Sequence, residues 1–236
     1  MVTIKICGIR DEVGARACAE AGVDMVGFNF CLSSRRVVSV AQASTLIPLI
    51  EGAEAVGVFV NPLVEEVMAV AKHLGLSWVQ LHGSEAPTLC SQLRQQGLKV
   101  IKAVAVDENF SAKLVSMYEP AVDMLLFDNT EPGSGSTFAW MQLQSVEVKV
   151  PFLVAGGLDP QNVVGVITAL RPGGVDTASG VERAGVKDPA RITAFVAAAR
   201  GADSLDITGD PTVANQAIGE LDDAPTIPMM KLDKEI

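Results

Sequence analysis

The chain has 236 residues, of which 49% are hydrophobic, and carries a formal net charge of −10 at pH 7. This length can bury one substantial core, no apolar run approaches the roughly 20 residues of a membrane-spanning helix, and an acidic surface without Lys/Arg clusters argues against nucleic-acid binding. Because the N-terminus lacks the features of a signal peptide, we expect a cytoplasmic protein that binds neither nucleic acid nor membrane, with a plastid stroma as the alternative compartment.

The predicted elements alternate between short apolar runs and amphipathic segments. Runs rich in Val, Ile and Phe predict eight strands, over residues 2–7, 24–30, 55–60, 77–82, 99–104, 122–128, 150–155 and 174–178. Apolar residues at spacings of three and four predict helices over residues 11–21, 41–50, 62–74, 85–96, 108–117, 160–170 and 188–200. A shorter helix is predicted over residues 138–144.

This alternation predicts a single α/β domain. Strands that lack clear alternation are buried on both faces, and short strand-helix connections imply parallel pairing with right-handed crossovers. Eight such units predict a (β/α)8 TIM barrel over residues 1–201. An open doubly wound sheet is the alternative, but Gly8 is followed by Ile9-Arg10-Asp11 and not by a glycine-rich fingerprint. Residues 202–236 hold −6 of the charge, which predicts an acidic, disordered tail.

Polar residues close several predicted strands, and the carboxyl ends of the strands are where a barrel carries its functional groups. Cys7 ends the first strand and Asp128 ends the sixth, so a thiol and a carboxyl are expected to converge as base and acid. Gly156-Gly157 and Ser179-Gly180 follow strands seven and eight and leave backbone N–H groups open to an anion. We therefore expect a phosphorylated small molecule as the ligand.

Seven segments in one order resemble the phosphoribosylanthranilate isomerase family, over about residues 2–200. Their joint occurrence is specific, whereas any one of them would be a weak signal. The segments are Lys5-Ile6-Cys7-Gly8-Ile9, Val26-Gly27-Phe28-Asn29-Phe30 with Ser34 and Arg36, Val56-Gly57-Val58-Phe59-Val60-Asn61, Val79-Gln80-Leu81-His82-Gly83, Gly133-Ser134-Gly135 before Thr137-Phe138, Ala155-Gly156-Gly157-Leu158 and Ser179-Gly180-Val181-Glu182.

The resemblance implies an isomerase of tryptophan biosynthesis that converts N-(5'-phosphoribosyl)anthranilate to 1-(o-carboxyphenylamino)-1-deoxyribulose 5-phosphate by an Amadori rearrangement, without metal or organic cofactor. Asp128 then matches the general acid that opens the ribose ring, and Cys7 matches the general base that deprotonates the adjacent sugar carbon. A free thiol has a pKa of about 8.5, so the pKa of Cys7 is expected to fall. The charge of Lys5, on the same strand face, is expected to favour the thiolate.

The resemblance also implies how the substrate is held. Arg36 matches the residue that holds the anthranilate carboxylate, for which a guanidinium fork is suited, and Asp176 is expected to contact the substrate from strand eight. The phosphate cradle is expected to use Gly156, Gly157, Ser179 and Gly180. Relatives often have Ser-Pro-Arg where this chain has Ser34-Arg35-Arg36, so Arg35 is the alternative carboxylate ligand, and we favour Arg36. We expect a monomer or a homodimer.

Other interpretations stay open. Ser136 and Ala139 stand where a lysine and an aspartate are common, so a catalytically weakened barrel that recruits a partner is an alternative function. Another phosphosugar isomerase is a further alternative, although metal-dependent epimerases need histidine ligands and the chain holds only His73 and His82. We assign neither histidine a catalytic role. Lys102 is interpreted as a buried charge inside the barrel that pairs with a carboxylate.

Overall fold

Eight parallel strands close into a barrel in the computed structural model, which describes residues 1–107, 110–129 and 142–204. In chain order, which is also their order around the ring, the strands are β1 (Thr3–Cys7), β2 (Met25–Asn29), β3 (Glu54–Phe59), β4 (Trp78–Leu81), β5 (Lys99–Val106), β6 (Met124–Asn129), β7 (Phe152–Val154) and β8 (Gly174–Thr177). Parallel pairing of β8 with β1 closes the ring. The predicted (β/α)8 TIM barrel is confirmed.

Helices surround this ring. They are α1 (Glu12–Ala21), α2 (Val40–Leu46), α3 (Val64–Leu74), α4 (Pro87–Gln95), α5 (Ala112–Tyr118), α6 (Val163–Leu170) and α7 (Pro189–Ser204). Local sequence signals set their ends: the Asp11 side chain accepts from the Gly14 N–H at 2.8 Å to begin α1, and Gly22 ends it with a φ of 73°. None of the helices in the described ranges is long and apolar enough to cross a membrane.

Side-chain alternation along each strand separates an outer core from the barrel interior. Ile4 and Ile6 of β1 are fully buried in the main apolar core, which the helices cover, so Lys5 and Cys7 point to the inside of the ring. A second apolar cluster fills the interior and contains Met25, Val56, Ile101, Ala103, Leu126, Leu153 and Ala155. This apolar cluster fills the interior of the ring. The polar residues at the carboxyl ends of the strands lie beyond it, at the open mouth of the barrel.

Three helix ends lie four residues from their predicted positions. The helix predicted over residues 41–50 is divided, because Pro48 lacks an N–H and the chain continues as the 3₁₀ turn Ile47–Leu49. Helix α5 begins four residues later than predicted, where the Ser111 side chain caps it by accepting from the Leu114 N–H at 3.3 Å. Helix α7 runs to Ser204 and so crosses the predicted end of the barrel at residue 201.

A small hairpin near the cleft was not predicted. It pairs β9 (Glu182–Arg183) with β10 (Val186–Lys187) through a two-residue turn in which Ala184 and Gly185 have φ values of 52° and 78°. Two positive φ values are typical of a type I′ turn, which sequence patterns usually signal by Asn-Gly and not by Ala-Gly. The register places Lys187 opposite Glu182. This pairing helps to build the site described below.

Several sequence-based predictions concern residues that lie largely or wholly outside the described ranges. Of the helix predicted over residues 138–144, only residues 142–144 are described, and these are helical. Ser136, Ala139 and the predicted tail beyond Ser204 lie outside the described residues.

Candidate active site

A cleft of about 930 Å³ opens at the carboxyl ends of the barrel strands. Cys7 reaches it from β1 and Asp128 from β6, on the far side of the ring. Both are accessible, since Cys7 is partly exposed and the Asp128 side chain is 30% exposed. Every residue predicted for the site lines this cleft: Cys7, Arg36, Asp128, Gly156, Gly157, Asp176, Ser179 and Gly180.

The thiol of Cys7 lies beside a buried ion pair. Lys5 is fully buried, and its Nζ donates to Oδ1 of Asp176 at 2.8 Å. Burial disfavours the Lys5 ammonium, but Asp176 and Cys7 outweigh that effect and raise the pKa of Lys5. Inside the barrel this lysine is therefore a fixed positive charge, as a buried charge with a partner can be.

The predicted direction of the Cys7 pKa is wrong. Burial raises the pKa of this thiol, and the charge of Asp176 raises it further. Lys5 lowers it through its charge and a hydrogen bond, and Lys187 lowers it through its charge, yet these effects do not compensate for burial. Lys5 does lower the pKa of Cys7, as expected, but Asp176 neutralises much of the charge of Lys5. Only the pairing of β8 with β1 shows that Asp176 lies beside Lys5.

Asp128 belongs to a chain of three side chains. Nε2 of His82 lies 3.1 Å from Oδ2 of Asp128, and Nδ1 of His82 lies 2.7 Å from Nε2 of Gln80. Gln80 is fully buried, whereas the His82 side chain is 37% exposed and lines the cleft. His82 therefore contacts the proposed acid directly, although sequence reasoning assigned it no role.

Arg36 is held by a bidentate ion pair. Its Nε and one terminal nitrogen donate to the two carboxylate oxygens of Glu182 at 2.6 and 2.8 Å, and Lys187 donates to Glu182 at 2.9 Å. Burial disfavours ionisation of Glu182, but these hydrogen bonds lower its pKa to about 2. Gly8, with a φ of 78°, lets the arginine pass, because a Cβ there would lie 2.4 Å from Cδ of Arg36.

Arg35 also lines the cleft but differs from Arg36 in its surroundings. Its side chain is exposed and makes no hydrogen bond or ion pair with any residue in the described part of the chain. Its backbone carbonyl accepts from Arg10 at 3.0 Å, which ties this loop to the one after β1. Arg36 is thus the orientated guanidinium of the pair, and Arg35 is the unrestrained one.

The loops after β7 and β8 pack against each other as an anion site requires. Gly180 touches the Leu158 carbonyl so closely that a Cβ would lie 1.9 Å from its oxygen, and the Thr177 hydroxyl donates to the same oxygen at 2.5 Å. Within the described ranges the N–H groups of Ser179 and Gly180 make no hydrogen bond, so they remain available to an anion. The helix expected to assist from Pro160 instead begins at Val163.

Lys102 does not point into the barrel. It is buried on the outer face of β5, where its Nζ lies 3.0 Å from Glu85 and donates to the carbonyls of Gly83 and Ala103, each at 2.7 Å. The interpretation as a paired charge was correct, but its location was wrong, because Ile101 and Ala103 are the inward residues of this strand. This network shapes the β4–α4 connection, and the Lys102 side chain itself does not line the cleft.

Sequence reasoning missed two contributors, His82 and Glu182. Both lie in the motifs that carry the family resemblance, and His82 also ends an apolar run as Cys7 and Asp128 do. That position was the available signal for His82. For Glu182 no local signal existed, because its partner Arg36 is 146 residues away. No group of three His, Cys, Asp or Glu side chains able to hold a metal ion occurs within residues 1–107, 110–129 and 142–204.

Comparison with known proteins agrees with this geometry. Residues 4–198 match the family model of N-(5'phosphoribosyl)anthranilate (PRA) isomerase. The N-(5'-phosphoribosyl)anthranilate isomerase of Desulforudis audaxviator is 40% identical over 206 residues, which cover 86% of this chain and 100% of that protein. The crystal structure of phosphoribosyl anthranilate isomerase from Thermotoga maritima is 36% identical with a TM-score of 0.76, covering 85% of this chain and 100% of that one.

A further solved structure bears on the ligand. It is a phosphoribosyl anthranilate isomerase in complex with reduced 1-(o-carboxyphenylamino)-1-deoxyribulose 5-phosphate, 34% identical with a TM-score of 0.74, covering 85% of this chain and 100% of that one. Fold and site together define a (β/α)8-barrel enzyme with its cleft at the carboxyl ends of the strands. The chain belongs to the phosphoribosylanthranilate isomerase family, and it is an isomerase.

Proposed function

We propose that the chain catalyses the Amadori rearrangement of N-(5'-phosphoribosyl)anthranilate, with Asp128 as general acid and Cys7 as general base. The observation that carries this proposal is the convergence of these two groups in one cleft, from β6 and β1. The cleft volume of about 930 Å³ suits a small phosphorylated ligand. The related structure with a reduced form of the product supports the same substrate class. Every catalytic step is assigned to residues of the barrel, and none is assigned to the predicted tail, residues 202–236.

The first step opens the sugar ring. Asp128 gives its proton to the furanose oxygen, the bond between that oxygen and C1' breaks, and a Schiff base forms between C1' and the anthranilate nitrogen. The carboxyl is suited to this role because 30% of its side chain is exposed to the cleft while one oxygen is held by His82. A positioned acid of this kind contributes typically about 10²- to 10⁴-fold to a rate.

The second step removes the proton from C2'. The Cys7 thiolate takes this proton, the electron pair forms the C1'–C2' double bond, and the positive Schiff-base nitrogen is neutralised to give an enolamine. Proton transfer to C1' and loss of the 2'-hydroxyl proton then give the ketone. Burial makes Cys7 a strong base once it is ionised, and Lys5 offers the thiolate a hydrogen bond and a positive charge.

Two sets of groups that line the cleft are proposed to orient the substrate. The N–H groups of Ser179 and Gly180, with the loop of Gly156 and Gly157, are proposed to receive the phosphate. Arg36, held by Glu182 through two of its nitrogens, is proposed to present its remaining N–H groups to the anthranilate carboxylate. Asp176 lies next to Cys7 and is proposed to act through the charge balance around Lys5 and to contact the sugar.

No observation within the described residues favours the alternative functions. The positions that motivate a weakened, partner-recruiting barrel are residues 136 and 139 and the tail, and all lie outside those ranges. Another phosphosugar isomerase finds no support in the family match over residues 4–198.

The direct test mixes purified full-length protein with freshly made phosphoribosylanthranilate and follows the loss of substrate fluorescence. Conversion well above the rate of spontaneous breakdown in buffer is expected, together with growth of a tryptophan auxotroph that lacks the isomerase. Heat-inactivated protein is the control. Soluble, folded protein that neither removes the fluorescence nor restores growth would contradict the proposal and favour a binding role.

The two adjacent arginines are expected to behave differently when substituted. Arg36→Lys keeps the charge but loses the planar fork, so kcat/KM is expected to fall about 10- to 100-fold, mainly through KM, because charge-assisted hydrogen bonds contribute about 1.5–3 kcal/mol each. Arg35→Ala removes an unrestrained side chain and is expected to change kcat/KM by less than about threefold. Steady-state kinetics measures both. A larger effect from Arg35→Ala would identify Arg35 as the carboxylate ligand.

A further inference from the structure

Three side chains cross the mouth of the barrel from β4 to β6. The amide nitrogen of Gln80 lies 2.7 Å from Nδ1 of His82, and Nε2 of His82 lies 3.1 Å from Oδ2 of Asp128. Strand β5 lies between them and contributes only the small residues Ala103 and Ala105 to the cleft at this point. The imidazole can therefore reach across β5 to the carboxyl. The reaction steps described above use Asp128 but give no role to Gln80 or His82.

The amide of Gln80 fixes the position of the ring. It lies 2.7 Å from Nδ1 of His82, and either orientation of the amide can hydrogen-bond that atom and leave Nε2 facing Asp128. Oε1 of Gln80 is buried and has no hydrogen-bond partner among the described residues. An unpaired buried acceptor is costly and calls for an explanation. Turning the amide over would pair Oε1 with a protonated Nδ1 instead.

One further charged group lies close to the ring. Asp176, from β8, interacts electrostatically with both His82 and Asp128. An Nε2–H group of His82 donates to one carboxyl oxygen of Asp128 and so occupies that oxygen.

We propose that Gln80 holds the His82 ring so that Nε2–H donates to Oδ2 of Asp128, and that His82 thereby occupies Oδ2 and leaves the acid proton on Oδ1. Gln80 and His82 are positioning residues, since both act through Asp128. During ring opening the proton moves from Oδ1 to the furanose oxygen, and the Nε2–H bond stays intact. This inference rests on the proposed role of Asp128 as the general acid.

Variants at His82 separate a positioning role from a structural one. His82→Phe removes the donor to Asp128 and is expected to lower kcat about 10- to 100-fold with little change in KM, because the acid is no longer orientated. His82→Gln offers an amide N–H near the Nε2 position and is expected to recover most of that loss. His73→Phe, at the chain's other histidine, on α3, is the matched control and is expected to leave kcat unchanged.

The hydrogen bond from His82 is tested directly on wild-type protein. Nitrogen-15 NMR is expected to find a proton on Nε2 of His82, and a His73→Gln sample assigns the two histidines. Gln80→Leu removes the group that holds Nδ1, and in that variant we expect kcat to fall about 10- to 100-fold because the ring is no longer held against Asp128.

The outcomes distinguish this inference from the function on which it rests. If Asp128→Asn abolishes turnover while His82→Phe and Gln80→Leu keep wild-type kcat, the positioning role is wrong and the acid assignment stands. An Nε2 atom without a proton in the wild-type spectrum also overturns the inference, even if a variant fails to fold. Full activity of Asp128→Asn would instead reject the proposed mechanism itself.

Discussion

Asp128→Asn is expected to lower kcat by about 10²- to 10⁴-fold, with a smaller change in KM, because the amide cannot supply the proton that opens the ring. Asparagine matches aspartate in size and can still accept the hydrogen bond from His82 through its side-chain oxygen. The barrel and the cleft should therefore stay intact. Loss of substrate fluorescence under saturating substrate measures kcat, and thermal unfolding checks the fold.

A charge-matched control isolates the chemistry of Asp128. Glu65→Gln removes one negative charge from an exposed position on α3 that does not line the cleft, and is expected to leave kcat within about twofold of wild type. Folded Asp128→Asn protein with kcat within tenfold of wild type would show that another group supplies the proton. The assignment of Asp128 would then be abandoned.

Cys7→Ser is expected to lower kcat by about 10²- to 10⁴-fold, because a hydroxyl ionises far less readily than a thiol and cannot act as the base. The substitution is nearly isosteric, so substrate binding should persist. Cys31→Ser is the matched control, since Cys31 also lines the cleft but lies beyond the end of β2, where its Sγ lies 3.1 Å from the Ser33 hydroxyl. Its kcat is expected to stay within about threefold of wild type.

The pKa values of Cys7 and Cys31 are shifted in opposite directions, and alkylation at different pH values tests this difference. Burial raises the pKa of Cys7, whereas hydrogen bonds with Ser33 lower the pKa of Cys31, so iodoacetamide is expected to modify Cys31 first at neutral pH. In Cys31→Ser protein, the rate of Cys7 alkylation and of inactivation should rise about tenfold per pH unit up to a pKa above the ordinary value of about 8.5. Lys5→Met should slow this alkylation further.

Two results would contradict this account of Cys7. If the alkylation rate of Cys7 levels off at a pH below the ordinary thiol pKa of about 8.5, the neighbouring charges stabilise the thiolate by more than burial destabilises it. Alkylation of Cys7 without loss of turnover would remove it from the mechanism. Mass spectrometry of the labelled peptide identifies which thiol has reacted in each case.

The barrel and the residues that face its cleft follow from sequence patterns. Apolar runs and helical spacings predicted all eight strands and the α/β class, because the periods of 2 and 3.6 residues express which face of each element is buried. The same alternation assigned Lys5 and Cys7 to one face of β1. The positions at strand ends identified Cys7, Asp128 and the two glycine-containing loops, whereas Arg36 and Asp176 came from the family resemblance.

Which side chains contact each other was decided only by the tertiary structure. Lys5 pairs with Asp176 across 171 residues and Arg36 with Glu182 across 146, and His82 meets Asp128 because the strand between them offers only alanines. Periodicity gives the face on which a residue lies, but neither its partner nor its distance. The pKa of Cys7 is the clearest case, since the sequence supplied the charge of Lys5, whereas the desolvation and the counter-charge of Asp176 arise only when the ring closes.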